Sequence, residues 1–414
     1  MRVFPVPEAR VPIVRVANPD PTGGAVGDRP SIFLLQYSVY TEEITIFALS
    51  IVQLFQNLIP CSMGNTLKDT KQERPRLLII YTGGTIGMIE NPATGALEPF
   101  DYDHLIENVP KLKRLDYHID NYQFEKPLDS SAMTPTHWDD IAGVIEKSYD
   151  DYDGFVVLHG TDTMAYTASA LSFMLENLRK PVVITGSQLP IGEVRTDGEE
   201  NLITSLQIAA ARDAEGRPLL QEVSILFENY LWRGNRSTKY SADNFNAFKS
   251  NNFPRLAKIG IGISFRHDML WRPRSSDPLK VHYGMDRNVI YLSLFPGITE
   301  TVVRHSLNTP GLKGIVLKTF GAGNAPNDRW FIDAVREAVE RGIVIVNISQ
   351  CHNGMVDPLL YQTGTALYGA GVISGHDLTS EAAITKLMFL FGQGYGIDEV
   401  KRLMEIPLVG EMHG

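Results

Sequence analysis

The stretch Leu77-Leu78-Ile79-Ile80-Tyr81-Thr82-Gly83-Gly84-Thr85-Ile86-Gly87 joins an apolar run to a turn opened by glycines. A second stretch repeats this arrangement, with Phe155-Val156-Val157-Leu158 before His159-Gly160-Thr161-Asp162-Thr163. A short apolar run bounded by turn residues is typical of a strand buried on both faces of a parallel sheet. Open parallel sheets bind ligands beyond the carboxyl ends of their strands. We therefore expect Thr85 and Thr161 at a ligand-binding edge.

Strand and helix patterns alternate along the rest of the chain, which predicts parallel sheets covered by helices. The predicted strands are residues 76–82, 122–128, 154–159, 181–186, 223–228, 258–264, 288–295, 313–319 and 343–349. The predicted helices are residues 135–149, 162–178, 198–212, 299–307, 328–341, 380–392 and 396–404.

The predicted fold class is α/β, with two domains of unequal size. Residues 270–285 are rich in proline and polar side chains, as is typical of a linker. We expect a larger N-terminal parallel-sheet domain at 74–269 and a smaller C-terminal α/β domain at 286–414. Each is predicted to carry helices on both faces of its sheet.

Composition excludes several classes of protein. The formal net charge is −10 and no basic stripe is visible, which argues against a nucleic-acid partner. The chain has only two cysteines, Cys61 and Cys351, so a reducing compartment is the simpler interpretation. The ten histidines form no H-x-x-x-H or H-x-H cluster, so we expect no metal site.

Residues 1–73 differ in character from the rest of the chain. The apolar stretch at 44–60 carries polar side chains and is slightly short for a membrane span, which needs about 20 residues. Met63 opens a short polar leader before the first strand. We expect residues 1–73 to be an extension outside the working fold, either poorly ordered or, for residues 1–62, a mis-assigned start. A membrane-associating helix and a partner-binding arm stay open as alternatives.

Four further side chains accompany the two threonines. A threonine hydroxyl needs a base or a polarising neighbour to act as a nucleophile. Asp162 follows Thr161 directly, although it also suits the N-cap of the helix predicted at 162–178. Lys239 is expected in a loop beyond a strand end, where it is either a proton acceptor or a solvated charge. Ser130 and Ser131 follow the strand at 122–128.

These serines suit either of two roles, binding a substrate carboxylate or capping the helix that begins near Pro135. A phosphate loop is disfavoured, because the glycines at 83 and 84 form neither G-x-G-x-x-G nor G-x-x-x-x-G-K-[ST].

Taken together, these segments resemble the bacterial-type L-asparaginase family, specifically its cytoplasmic type I branch, from about Arg76 to about Glu411. Residues 81–87 match the first family signature and residues 157–164 the second. The resemblance implies hydrolysis of L-asparagine to L-aspartate and ammonia in the cytoplasm, with no cofactor. It also implies a homodimer or homotetramer, with no nucleic-acid or membrane partner.

The resemblance assigns roles to individual residues. It makes Thr85 the nucleophile that forms an acyl-enzyme, with Thr161, Asp162 and Lys239 as the group that handles protons. The implied substrate-binding residues are Gly84, Ser130, Ser131, Gly160, Thr161, Asp162, Gly186 and Ser187.

The chain departs from the family pattern at one point: many relatives carry a tyrosine on the loop after the first signature. Residues 88–100 contain none, although the loop is long enough to form a mobile lid. Tyr361 matches a tyrosine that some type I relatives place near the nucleophile, so it becomes the candidate assistant of Thr85. Thr238 and Cys351 match an activating asparagine site of some relatives.

Two other functions stay open. One is an asparaginase-like subunit of a glutamyl-tRNA(Gln) amidotransferase, although residues 1–73 lack the alternating strands of the small β-barrel expected there. The other is a non-catalytic amino-acid-binding protein.

Overall fold

A computed structural model describes residues 74–90, 97–99, 109–357 and 362–413. The predicted extension at 1–73 lies outside the described residues, and so does Tyr361.

The strands are β1 (Arg76–Gly83), β2 (Met88–Glu90), β3 (Leu97–Pro99), β4 (His118–Leu128), β5 (Gly154–Leu158), β6 (Leu175–Glu176), β7 (Val182–Thr185), β8 (Val223–Phe227), β9 (Tyr230–Arg233), β10 (Thr238–Lys239), β11 (Phe248–Lys249), β12 (Ala257–Ile259), β13 (Ile263–Phe265), β14 (Lys280–Val281), β15 (Val289–Ser293), β16 (Gly314–Thr319), β17 (Val344–Ser349) and β18 (Ile373–Ser374). The α-helices are α1 (Pro135–Ser148), α2 (Met164–Met174), α3 (Gly198–Ala210), α4 (Glu300–Leu307), α5 (Arg329–Glu340), α6 (Gln362–Gly369), α7 (Ser380–Gly392) and α8 (Ile397–Met404).

The larger sheet has eight strands in the order β13-β12-β9-β8-β7-β5-β1-β4. The five strands from β8 to β4 run parallel, whereas β9, β12 and β13 are antiparallel additions at the other edge. Alternate residues of β1 face opposite sides, because side chains in a strand alternate. Leu78 and Ile80 join a core that includes residues of α1 and α2, while Leu77 and Ile79 join a core that includes α3. The prediction of helices on both faces is confirmed for this sheet.

The smaller sheet has four parallel strands in the order β15-β16-β17-β18. One of its faces packs against α4, α5 and α6, and the other against α7 and α8. Helix α7 also contacts the larger domain, where Phe389 stacks on Phe173 of α2 with ring centroids 6.0 Å apart. The predicted second, smaller α/β domain is confirmed.

The structure corrects several predicted elements. The strand predicted at 258–264 is a hairpin, because β12 and β13 pair across a turn at residues 260–262. Helix α2 ends at Met174, earlier than predicted, because the next two residues pair with β14. That pairing places a short strand inside the predicted linker. Strand β9 and helix α6 were not predicted.

No described helix has both the length and the apolar character that crossing a membrane requires.

Two helical glycines have different surroundings, so we expect them to respond differently to substitution by alanine. Alanine normally stabilises a helix over glycine by about 1 kcal/mol. At Gly392, however, a new Cβ would lie 2.0 Å from the carbonyl oxygen of Gly284, which is backbone and cannot rotate away. At Gly143 in α1 the nearest atom that a new Cβ would meet is 3.6 Å away. We expect Gly392→Ala to lower the urea midpoint of unfolding and Gly143→Ala to raise it slightly. A raised midpoint for both would contradict the close backbone contact.

Candidate active site

Four neighbouring strands bring their carboxyl ends to one edge of the larger sheet. Strands β4, β1, β5 and β7 are adjacent and parallel, and each is followed by a predicted site segment. These segments contain Ser130, Thr85, Thr161 and Gly186. Residues separated by up to about 100 positions in the chain are therefore brought together at this edge.

Glycines allow the turns to touch through their main chains. A Cβ on Gly84 would lie 2.4 Å from the backbone nitrogen of Gly160. A Cβ on Gly160 would lie 2.6 Å from Oγ of Ser130, and one on Gly186 would lie 2.2 Å from the carbonyl oxygen of His159. Gly84 also has a φ of 91°, which disfavours other residues. Any side chain at these positions would push the turns apart.

Lys239 joins this edge by direct contacts. Its Nζ lies 2.9 Å from Oγ1 of Thr161 and 2.5 Å from Oδ1 of Asp162. The lysine side chain is mostly buried, whereas the Asp162 side chain is 63% exposed. Thr161 Oγ1 also lies 3.3 Å from Oε1 of Gln188, which accepts a hydrogen bond from it. Thr161, Lys239 and Asp162 therefore form one hydrogen-bonded group, which is exposed to solvent at Asp162.

The route that brings Lys239 to this edge differs from the prediction. Lys239 lies in β10, which pairs with β11, and not in a loop directly after a parallel strand. The chain reaches β10 through the antiparallel strand β9 and a short 3-10 turn at Gly234–Arg236. Gly234 packs on α2, where a Cβ would lie 3.0 Å from Cβ of Ala168.

The capping role considered for Asp162 is wrong. Helix α2 begins at Met164 with Thr163 at the N-cap, and the carboxylate of Asp162 is paired with Lys239 instead. Thr163 Oγ1 instead donates to the carbonyl oxygen of Ser130, 2.7 Å away. This bond ties the β5 turn to the β4 turn.

The two serines have different surroundings. Ser130 is buried beside Gly160, whereas Ser131 is exposed and its backbone N–H donates to Oδ1 of Asp129 at 2.8 Å. Neither caps α1, whose N-cap is Thr134. Ser130 is thus the serine whose hydroxyl lies within the cluster.

The hydrogen bonds that hold the Gly186–Ser187 loop in place were not predicted from the sequence. The carboxylate of Asp197 accepts hydrogen bonds from the backbone N–H groups of Gln188 and Leu189 at 3.0–3.2 Å. Asn201 donates to the carbonyl oxygen of Gly186 at 3.0 Å. The Ser187 hydroxyl bonds within its own loop, to the carbonyl oxygen of Leu189. The only sequence signal for Asp197 was its position just before helix α3.

His159 was also missed as a supporting residue. Its ring is fully buried, with Nδ1 2.7 Å from the carbonyl oxygen of Gly160 and Nε2 2.9 Å from Oγ1 of Thr167. A carbonyl only accepts, so Nδ1 carries the proton and Nε2 accepts from Thr167. Thr167 in turn accepts from Nε1 of Trp138 at 2.9 Å. Burial lowers the pKa of His159 to about 4, so the ring stays neutral near pH 7.

Within the part of the chain that the structure describes, the side chains of Thr238 and Cys351 are not hydrogen-bonded to Thr161, Asp162 or Lys239. Thr238 donates its hydroxyl to Oε1 of Glu381 at 2.6 Å, and burial raises the pKa of that glutamate. Cys351 is an exposed free thiol. Tyr361 and residues 91–96 of the predicted lid lie outside the described residues. Over the described ranges, no three histidine, cysteine or acidic side chains are grouped as a metal site would require.

The buried His159 makes the stability of the protein depend on pH. Below about pH 6.5 the unfolded chain binds a proton at this ring, whereas the folded protein binds it only near pH 4. The free energy of unfolding therefore falls as the pH drops through this window, by about 3 kcal/mol from this group. We expect His159→Asn to flatten that loss in urea unfolding between pH 7 and pH 4. The control is His267→Asn at an exposed ring, and equal slopes for all three proteins would contradict the assignment.

Comparisons with known proteins agree with this architecture. Residues 76–271 match the family model "Asparaginase, N-terminal", and residues 288–404 match "Glutaminase/Asparaginase C-terminal domain". L-asparaginase 1 of Escherichia coli is 43% identical over 348 residues, which cover 82% of this chain and 98% of that protein. The crystal structure of L-asparaginase I from Vibrio cholerae matches with a TM-score of 0.75 and 42% identity, covering 82% of this chain and 99% of the other.

A further relative is a subunit of the glutamyl-tRNA(Gln) amidotransferase of Pyrococcus abyssi, 35% identical over 351 residues, covering 84% of this chain and 78% of that protein. The two domain matches and the higher identity to type I L-asparaginases agree with the motifs at the sheet edge. The chain belongs to the asparaginase family of amidohydrolases, in its type I branch.

Proposed function

We propose that this protein hydrolyses L-asparagine to L-aspartate and ammonia, with Thr85 as the nucleophile. The contact of Lys239 Nζ with both Thr161 Oγ1 and Asp162 Oδ1, beside the turn that carries Thr85, is the observation that carries the proposal. A lysine placed this way can accept a proton through Thr161, and the carboxylate balances the positive charge that results.

The proposed reaction has two halves. Oγ of Thr85 attacks the carbon of the side-chain amide, its proton passes towards Lys239 through Thr161, and the amide nitrogen leaves as ammonia after receiving a proton. Water then attacks the ester carbon of the acyl-enzyme, releases L-aspartate and restores the hydroxyl of Thr85. No cofactor takes part in either half.

Backbone N–H groups beside Thr161 and in the Gly186–Ser187 loop are the proposed donors to the oxyanion. One such donor is worth about 10²–10³ in rate in other hydrolases. The Asp197 and Asn201 bonds hold that loop in place, which supports this assignment. Ser130 and Asp162 are proposed to bind the α-carboxylate and α-ammonium groups of the substrate, with Ser131, Gly84 and Gly160 completing the pocket.

Two substitutions test the roles of the nucleophile and the lysine. We expect Thr85→Ala to remove nearly all activity, and Lys239→Met to lower kcat by about 10²–10⁴-fold, the usual contribution of acid–base catalysis. Lys249→Met is the matched control, because Lys249 lies opposite Thr238 on the paired strand and its ammonium group stacks on Tyr240. Circular dichroism checks that all three variants fold. Wild-type turnover in either of the first two would refute the assignment.

The substrate is tested by a coupled ammonia assay with L-asparagine and L-glutamine over a concentration series. We expect ammonia from L-asparagine without tRNA or a second subunit. The amidotransferase alternative is less favoured, because L-asparaginase 1 of Escherichia coli is 43% identical to this chain and the amidotransferase subunit 35%. The binding-protein alternative predicts no ammonia. A sigmoidal rate curve would support activation at Thr238 and Cys351, whereas a hyperbolic curve would argue against it.

The proposal also covers the oligomeric state of the protein, its location, and the tyrosine that assists the nucleophile Thr85. We propose a homodimer or homotetramer located in the cytoplasm, where a chain with two cysteines is expected to stay reduced. Tyr361 is the proposed partner of Thr85, because residues 88–100 contain no tyrosine.

A further inference from the structure

The segment that carries Lys239 is held by residues far away in the chain. Arg233, Asn235 and Arg236 precede Lys239 by three to six positions, and all three are buried. Their side chains donate to two consecutive carbonyl groups of the 408–413 segment. Gly410 accepts from Nε of Arg236 at 2.8 Å and from Nη1 of Arg233 at 3.3 Å. The carbonyl oxygen of Val409 accepts from Nδ2 of Asn235 at 3.1 Å.

Gly410 is suited to this shared contact. Its φ is 78°, and a Cβ on it would lie 2.5 Å from Nη1 of Arg233. The absence of a side chain therefore lets its carbonyl group reach both guanidinium groups. A buried N–H donor needs an acceptor within the protein, because water does not reach it to take the place of a missing acceptor.

A buried ion pair fixes the shape of the 408–413 segment. The carboxylate of Glu411 accepts from the backbone N–H groups of Leu408 and Val409 at 2.8–3.1 Å. It also lies 2.6 Å from Nζ of Lys386 on α7, and both charged side chains are 0% exposed. Nζ of Lys386 donates as well to the carbonyl oxygen of Ile406 at 2.7 Å.

A second buried ion pair joins Arg236 to Asp377 of the smaller domain. Nη1 of Arg236 lies 2.5 Å from Oδ2 of Asp377, and both side chains are 2% exposed. The backbone N–H of His413 donates to Oδ1 of Asp377 at 2.9 Å, and Nδ1 of His413 lies 2.6 Å from Oδ2. Arg236 is thus bound on both sides by groups from the smaller domain.

We propose that the 408–413 segment is a positioning element for Lys239. It holds the turn at Gly234–Arg236, and through that turn it sets where β10 presents the lysine to Thr161 and Asp162. The inference rests on the proposed function for its catalytic consequence, although the contacts themselves do not depend on it. Gly410, Glu411 and His413 act through Arg233 and Arg236 and do not touch the reacting groups.

Gly410→Ala tests this, with Gly371→Ala as the matched control. Gly371 also lies in the smaller domain, has a φ of 91°, and would place a Cβ 2.7 Å from a side-chain atom, Cγ1 of Val339. Its substitution causes the same kind of strain away from residues 233–239. We expect Gly410→Ala to lower kcat for L-asparagine at least tenfold, with KM within about twofold and a shifted pH profile of kcat. Gly371→Ala should keep the wild-type pH profile.

Amide hydrogen exchange supplies a measurement that needs no turnover. The backbone N–H of Tyr240 donates to the carbonyl oxygen of Ala247 beside the β10–β11 pair, so its protection reports on this ribbon. We expect faster exchange at residues 237–240 in Gly410→Ala and not in Gly371→Ala. If the wild-type protein releases no ammonia, the proposed function fails, and this exchange result alone decides the positioning role.

Two results would overturn the inference. One is a kcat and pH profile for Gly410→Ala equal to those of Gly371→Ala. The other is faster exchange confined to residues 404–413. Should Gly410→Ala fail to fold, the milder His413→Ala decides in its place, because it removes one bond to Asp377 and leaves Arg236 paired. It should show a smaller change in the same direction, and an unchanged pH profile and exchange pattern would count against the proposal.

Discussion

The contact between the backbones of Gly84 and Gly160 is the constraint on which the site depends. Strands β1 and β5 are neighbours in the sheet, so their carboxyl ends are already close. Only turns without side chains at the contact points can approach further. The residue after each glycine is a threonine, and the same turn brings Gly160 against Ser130. The sheet makes the two turns neighbours, and the absence of side chains at Gly84 and Gly160 lets their backbones touch.

Parts of the fold that depend on local sequence were predictable. Runs such as 77–80 and 155–158 are apolar throughout, and helix α5 has a clear amphipathic pattern, whereas α2 is apolar on nearly all sides. Strand β9 and the hairpin at 257–265 were missed, because strands of three or four residues form only where a partner strand is available. Local sequence did not identify the partner of Asp162, because Lys239 lies 77 positions away and N-cap preference favoured a different role. Only the family resemblance grouped the two residues.

The supporting residues illustrate a second limit of sequence reasoning. His159, Asp197 and Asn201 carry no chemistry of their own, and each matters because it satisfies a backbone group of a site turn. Which carbonyl or N–H group needs a partner is known only once the turns are folded. Motif reasoning finds the groups that react, whereas the groups that hold them are found from the buried hydrogen bonds.

The bonds from residues 409 and 410 to Arg233 and Arg236 also bear on how the protein is made. Chains fold largely in the order of synthesis, with N-terminal domains first. Both sheets and every strand that contributes to the candidate site are synthesised before Gly410. Until that residue leaves the ribosome, the buried guanidinium groups of Arg233 and Arg236 lack one of their acceptors, although Glu222 and Asp377 are already present. The hydrogen bonds around the lysine segment are therefore complete only after nearly all of the sequence has been translated.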